Sequence, residues 1–112
     1  MATIEKKSLD RPDDTAKPGE KAHVDIVTVG GLTLQRVTVE PGWKWSEHLK
    51  PVVKTETCQK HHLIYVISGR LHARMSDGKE EEFSPGDIGV IPPEHDGWAV
   101  GSEPAVWLEL PH

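Results

Sequence analysis

The side chains in this chain best suited to chemistry are its seven histidines and its single cysteine, Cys58. Neutral imidazole binds Zn²⁺, Fe²⁺, Ni²⁺ or Cu²⁺, and a thiolate among imidazoles favours zinc. A first-row ion needs three or four such groups within about 2.0–2.3 Å of one point. Other catalytic arrangements are missing. There is no G-x-S-x-G elbow and no phosphate-cradling glycine loop, and a lone cysteine has no thiol partner for a redox pair.

Position in the sequence sorts the histidines. His61 adjoins His62, and consecutive strand residues point to opposite faces, so one of the two must turn away from any shared site. His72 alternates with Arg70 and Arg74 on a polar face and reads as solvated. His23 and His112 are terminal and carry no signal. Glu47 can serve as a general base or as a partner to a histidine, but a surface carboxylate is the simpler reading. Four tryptophans beside one Phe and one Tyr is an unusual aromatic balance. Trp43 and Trp45 read as packing or dimer contacts, and Trp98 equally as packing or as a pocket wall.

The elements that must position these groups are short strands. From Ala22 onward, β-rich runs alternate with turn residues, the pattern of a sandwich or barrel. Val24–Val29 and Leu32–Val39 flank Gly30-Gly31, which suits a two-residue hairpin. Further strands are expected at Trp43–His48, Leu63–Ile67, Arg70–Met75, Glu81–Phe83, Asp87–Ile91, Trp98–Val100 and Val106–Leu110. Leu71, Ala73 and Met75 should face the core, and Glu80-Glu81-Glu82 should form a solvated hairpin end. No segment has a helical period, so the fold class is all-β. Strand pattern alone leaves a Greek-key sandwich and an up-and-down barrel both open.

Residues Met1 to Lys21 hold ten charged residues and two prolines, too little apolar area to offset ordering, so 1–21 reads as a flexible arm and 22–112 as the folded domain. Ile4 and Leu9 are its candidate anchors, and it can dock on a partner subunit as an edge strand. The net charge of −5 argues against nucleic acid or an anionic membrane as the main partner. One cysteine, no apolar span and no apolar leader near Met1 imply a cytoplasmic protein.

The stretch from Gly42 to Trp98 resembles the cupin family. Gly42 precedes His48 by the expected five-residue gap, and Tyr65-Val66-Ile67-Ser68-Gly69-Arg70 looks like the end of the first cupin motif. Phe83-Ser84-Pro85-Gly86-Asp87, an apolar strand, Pro92-Pro93 and His95 look like the second. Trp43-Lys44-Trp45-Ser46-Glu47-His48 with a later Cys58 and His62 is similar to small single-domain bacterial cupins. Two positions depart from the family pattern: Lys50 replaces the second histidine of the usual pair, and His62 stands where glutamate is usual. Thirteen residues separate His48 from His62, which requires an insertion of about eight residues near Leu49 to Thr57 to loop out.

The resemblance implies an antiparallel double-stranded β-helix, or jelly-roll barrel, with a divalent ion (Zn, Fe, Ni or Cu) in its lumen. The implied ligands are His48, His62 and His95, with Cys58 as a fourth. On this expectation the rings of His62 and His95 lie no more than roughly 8–9 Å apart. Three functions fit: a metal-dependent oxygenase, isomerase or lyase acting on a small metabolite; a ligand- or metal-binding sensor; and a barrel that has lost its metal. The family is commonly dimeric, and the Leu63–Ile67 run, apolar on both faces, needs a cover beyond the lumen, so a homodimer is expected.

Overall fold

The computed structural model describes residues 3–111; Met1, Ala2 and His112 lie outside them. Nine strands and two short helices follow in the order β1 (Asp14–Ala16), β2 (Ala22–Val29), β3 (Leu32–Val39), α1 (Trp45–His48), α2 (Lys50–Val53), β4 (His62–Ser68), β5 (Leu71–Met75), β6 (Glu80–Phe83), β7 (Ile88–Ile91), β8 (His95–Ala99) and β9 (Ala105–Glu109). One sheet has the order β1-β2-β3-β9-β4-β7 and the other β6-β5-β8. Every strand pairing is antiparallel. The strand order, with β9 returning between β3 and β4, is a jelly-roll sandwich and not an up-and-down meander.

Gly30 and Gly31 both take positive φ, 60° and 77°, which lets the β2–β3 turn follow the strand twist. A one-residue irregularity between Val66 and Ser68 shifts the β4–β9 register and bends β4. Gly89 matters for a different reason: a Cβ there would stand 2.2 Å from the Phe83 ring. The Phe83 side chain of β6 thus lies on bare β7 backbone, where the two sheets approach.

Alternation along the strands fills the space between the sheets. Ile64 and Val66 of β4, Leu71 and Ala73 of β5, and Ala105 and Trp107 of β9 are all buried, and Ile64, Val66 and Ala105 are fully enclosed. Met75, expected in the core, is only half-buried near the open end of β5. Trp43 and Trp45 join the same buried core.

Two regions differ from the strand reading. Trp43–His48 forms no strand; its last four residues are α1, and α2 follows at once inside the predicted insertion. Pro51 at the start of α2 is well placed there, since its missing N–H would be unpaired in any case. The arm contributes β1, which extends the larger sheet through Asp14–Ile26 and Ala16–Val24 pairing. Ile4 is exposed, and the arm is held mainly by polar contacts. Arg36 bonds the buried Asp25 at 2.9 Å, Asp10 at 2.9 Å and the Leu9 carbonyl at 3.1 Å, and Asp13 accepts the Thr28 N–H at 2.9 Å.

Candidate metal centre

Three of the four expected ligands meet. Donor atoms of Cys58, His62 and His95 all lie within 4.8 Å of one another. The rings of His62 and His95 are 5.0 Å apart, edge to face. The Cys58 sulfur is 3.7 Å from His62 Nε2. Tetrahedral bonds to one zinc ion would set a sulfur and a nitrogen about 3.6 Å apart. The donor set therefore fits a first-row ion with little movement.

Each ligand is placed by an identifiable local cause. His62 opens β4, in register with Ile91 of β7. His95 opens β8, preceded by Glu94 at φ 73°. Cys58 lies in the loop after α2, joined to His95 by backbone bonds: its N–H donates to the His95 carbonyl at 2.7 Å, and its own carbonyl accepts the Glu94 N–H at 2.7 Å. This bridge returns the inserted segment to the barrel mouth.

The outer nitrogens of both rings are engaged. His62 Nδ1 lies 2.7 Å from Glu109 Oε1, and His95 Nδ1 lies 2.6 Å from the Pro92 carbonyl. An N–H donated to a carboxylate or carbonyl fixes the tautomer and leaves Nε2 as the ligating atom, as is usual around metal-bound histidines. Glu109 itself is held by the Trp107 indole N–H at 2.7 Å.

Burial by itself would push the Cys58 thiol up. Hydrogen bonds from His62 and His95, with the Lys60 backbone, outweigh burial and bring it down to about 6. For His62 burial opposes charge, but bonds to Cys58 and Glu109 raise it to about 9. Burial likewise opposes the Glu109 charge, and His62 and Trp107 more than offset it, holding the carboxyl below its usual value. The metal-free site is thus a thiolate beside an imidazolium, both of which become ligands once His62 gives up its proton.

His48 does not join the group. It ends α1, and its Nδ1 faces the backbone at the start of that helix, accepting the Lys44 N–H at 3.0 Å. Glu47 and His61 are exposed. His72 stacks on Trp98 at 4.7 Å and lies 3.2 Å from Glu80, on the outer face of the smaller sheet. Trp98 therefore walls no lumen, whereas Trp43 and Trp45 do.

Two cavities flank the cluster. One of about 40 Å³ is lined by His62, His95, Trp43, Trp45 and Trp107. The other, of about 170 Å³, is lined by Cys58, His62 and Glu109, with Val37, Val39, Leu49 and the same three tryptophans among its walls. A third, more open groove of about 320 Å³ lies by Gly69 and Arg70, away from the cluster.

Sequence reasoning missed Glu109. A signal was available: Trp107 and Glu109 are two apart on the last strand, so an inward Trp107 places Glu109 on the lumen face as well.

Comparison with known proteins agrees with the topology. The cupin domain family matches residues 35–111. A structure of unknown function from Rhizobium leguminosarum superposes with a TM-score of 0.66 at 23% identity, covering 99% of this chain and 100% of that one. A polyketide cyclase from Streptomyces resistomycificus gives 0.65 at 18% identity, covering 95% and 77%. A sugar phosphate isomerase of the cupin superfamily from Silicibacter pomeroyi gives 0.61 at 20% identity, covering 93% and 73%. At these identities the likeness is one of fold. No curated protein matches the chain by sequence.

Proposed function

The chain belongs to the cupin family, and from that premise we propose that it is a metal-dependent enzyme in which Cys58, His62 and His95 hold one divalent ion. The observation that carries this reading is the tethering of both imidazoles through Nδ1, to Glu109 and to the Pro92 carbonyl. That arrangement presents two Nε2 atoms toward one sulfur. A sulfur and two nitrogens favour zinc, with iron, nickel and copper as the other ions of suitable size.

Three protein ligands leave a coordination position open, the mark of a catalytic rather than a structural site. A bound ion there would supply Lewis acidity toward an oxygen of a small metabolite. Among the chain's own groups, Glu109 keeps His62 oriented, His95 is fixed by backbone, and the three tryptophans limit water around the cluster. Oxygenase, isomerase and lyase chemistry are the reaction classes this arrangement suits. A sensor that binds without turnover is the competing outcome.

The test is metal analysis of untagged protein. We expect about one ion per chain, lost in His62→Ala and in His95→Ala. Metal retained by both variants would overturn the ligand assignment. Cobalt-substituted protein then separates the two functions: visible bands that shift with azide indicate an open position, and unchanged bands indicate a closed, non-catalytic site.

The same reading includes a twofold assembly in a reducing compartment. Tyr65 and Ile67 of β4 and Ile88 and Val90 of β7 are exposed, and cross-strand pairing of Tyr65 with Ile88 makes them one outward patch at the sheet edge. A second copy covering that patch accounts for its apolar character. Sedimentation as a monomer at micromolar concentration would refute the dimer. No helix among the described residues is long and apolar enough to cross a membrane. The single free cysteine supports a cytoplasmic location.

A further inference from the structure

The loop from Lys17 to Lys21 joins β1 to β2 and passes over the end of α1. Gly19 lies so close to that helix that a Cβ there would stand 2.2 Å from the His48 carbonyl oxygen and 3.7 Å from the Leu49 Cα. Its φ is 73°, a left-handed value that residues with a side chain adopt only at a cost. Contact this close is open only to glycine.

The two segments that meet here also share a cavity. Pro18 and Leu49, each next to a residue of that contact, both line the space of about 170 Å³ that reaches Cys58 and His62. Pro18 and Gly19 are half-buried, although Lys17 and Glu20 on either side of them are exposed. The arm therefore supplies one wall of a cavity otherwise built by the barrel and the inserted segment.

This wall is attached unevenly. On one side Ala16 pairs with Val24, and on the other the Lys21 carbonyl accepts the Glu40 N–H at 2.8 Å. Between these points Pro18 and Gly19 make no hydrogen bond among the described residues. Packing on His48 and Leu49 alone holds them down. Lifting them breaks no hydrogen bond, whereas parting the sheets elsewhere breaks strand ladders, and segments with few bonds and contacts open at the lowest free energy.

We propose that Pro18-Gly19 is a strap over the cavity, and that ligands reach Cys58 and His62 when Gly19 lifts from the His48 carbonyl. The occupant it admits is a compact, mainly apolar molecule. Val37, Val39 and Trp45 form much of the inner wall, and an apolar cavity of roughly 150 Å³ in another protein admits benzene. The inference goes beyond the metal reading and stands without it, because it concerns entry into the cavity whatever Cys58 and His62 hold.

Cys58 is the only cysteine, so its reaction with the neutral, ring-sized disulfide 4,4′-dithiodipyridine reports entry in chelator-treated, full-length protein. The sulfur attacks the disulfide, keeps one pyridylthio group and releases the other as 4-thiopyridone, whose absorbance gives the rate. Gly19→Ala should raise that rate about ten-fold, because lifting the strap relieves the strain of a methyl group at this φ. Gly69→Ala is the control. A Cβ there would stand 2.1 Å from the Pro104 carbonyl oxygen at a φ of 68°, a comparable insult away from the cluster, and the rate should stay near that of the wild type. In the wild type, low urea should change the rate only slightly, since a local opening exposes far less surface than global unfolding. An unchanged rate in Gly19→Ala, equal acceleration in Gly69→Ala, or a wild-type rate with the full urea slope of global unfolding would each overturn the proposal. The last reading needs no variant. Metal analysis stands apart from all three: loss of the ligand assignment would leave these rates as expected, and failure of the strap would leave the ligand assignment intact.

Discussion

Glu109 Oε1 lies 2.7 Å from His62 Nδ1, and Oε2 of the same carboxylate lies 2.7 Å from the Trp107 indole nitrogen. One side chain from the last strand therefore sets both the orientation of a candidate ligand and the position of a cavity wall. Removing its charge while keeping its shape should be informative. Glu109→Gln is expected to weaken zinc binding by about 10–100-fold, the usual effect of losing a carboxylate behind a ligating histidine. Competition against a chromophoric chelator measures it. Affinity unchanged within a factor of about two, well below that range, would show that His62 needs no such support.

The thiolate has a distinct pH signature. In chelator-treated protein, Cys58 should lose its proton near pH 6 and not in the usual range for a free thiol, near 8.5. The imidazolium of His62 should persist until about pH 9. Thiolate absorbance in the ultraviolet follows the first step. In His62→Gln the cysteine should titrate well above pH 6, because the bond that most strongly lowers it is gone while burial remains. Proton competition gives the matching sign for metal: affinity falls as pH drops below about 9, where His62 holds its proton, and falls more steeply below about 6, where the sulfur is protonated as well.

Cys58 and His48 should behave oppositely. Cys58→Ser removes the sulfur and should abolish the thiolate charge-transfer band of cobalt-loaded protein. His48→Ala should leave that band and the metal stoichiometry unchanged, because the His48 ring is bonded to the Lys44 backbone and not to the cluster. Loss of metal in His48→Ala would bring that histidine back into the site.

The core carries the stability. Ile64 is fully buried, and Ile64→Ala should cost about 2–5 kcal/mol in chemical denaturation. Gly89→Val tests overpacking, since its side chain would begin where the Phe83 ring lies. A loss of about 1–3 kcal/mol is expected, and in a Phe83→Ala background the same substitution should cost less, a coupling read from the double-mutant cycle.

Asp25 is buried against Arg36. The guanidinium is held charged by bonds to Asp10 and Asp25, against the opposing effect of burial. Arg36→Met leaves the Asp25 carboxylate without its cation and frees Leu9 and Asp10 of the arm. Destabilisation of about 2–3 kcal/mol is expected, at the low end for a broken buried pair because the arginine is partly exposed. Faster proteolysis before β1 should accompany it.

What could be read from the sequence follows the physics of each signal. Strand periodicity and turn glycines are local, so the all-β class and most strand positions were legible from composition and alternation. His62 and His95 stood out because glycine and proline landmarks fix their distance from neighbouring turns. His48 was harder to place. Trp43 to His48 has the aromatic content of a strand, yet the insertion that follows leads the chain into α1 and α2. Glu109 was hidden for another reason: its partner His62 is 47 residues away, and only the closing of β9 between β3 and β4 brings them together. Gly19 shows the same limit, since its contact with the His48 carbonyl becomes visible only once both segments have been placed.

The backbone bridge between Cys58 and His95 has a consequence for kinetics. Because main-chain bonds tie these two positions together, the span between sulfur and imidazole is settled when the chain folds, before any ion arrives. An incoming ion then has few loose segments to organise, and a departing one gains little from local fraying. Release of metal should accordingly be slow and binding tight for three ligands, and the centre should favour ions that accept its spacing over ions that would have to reshape it.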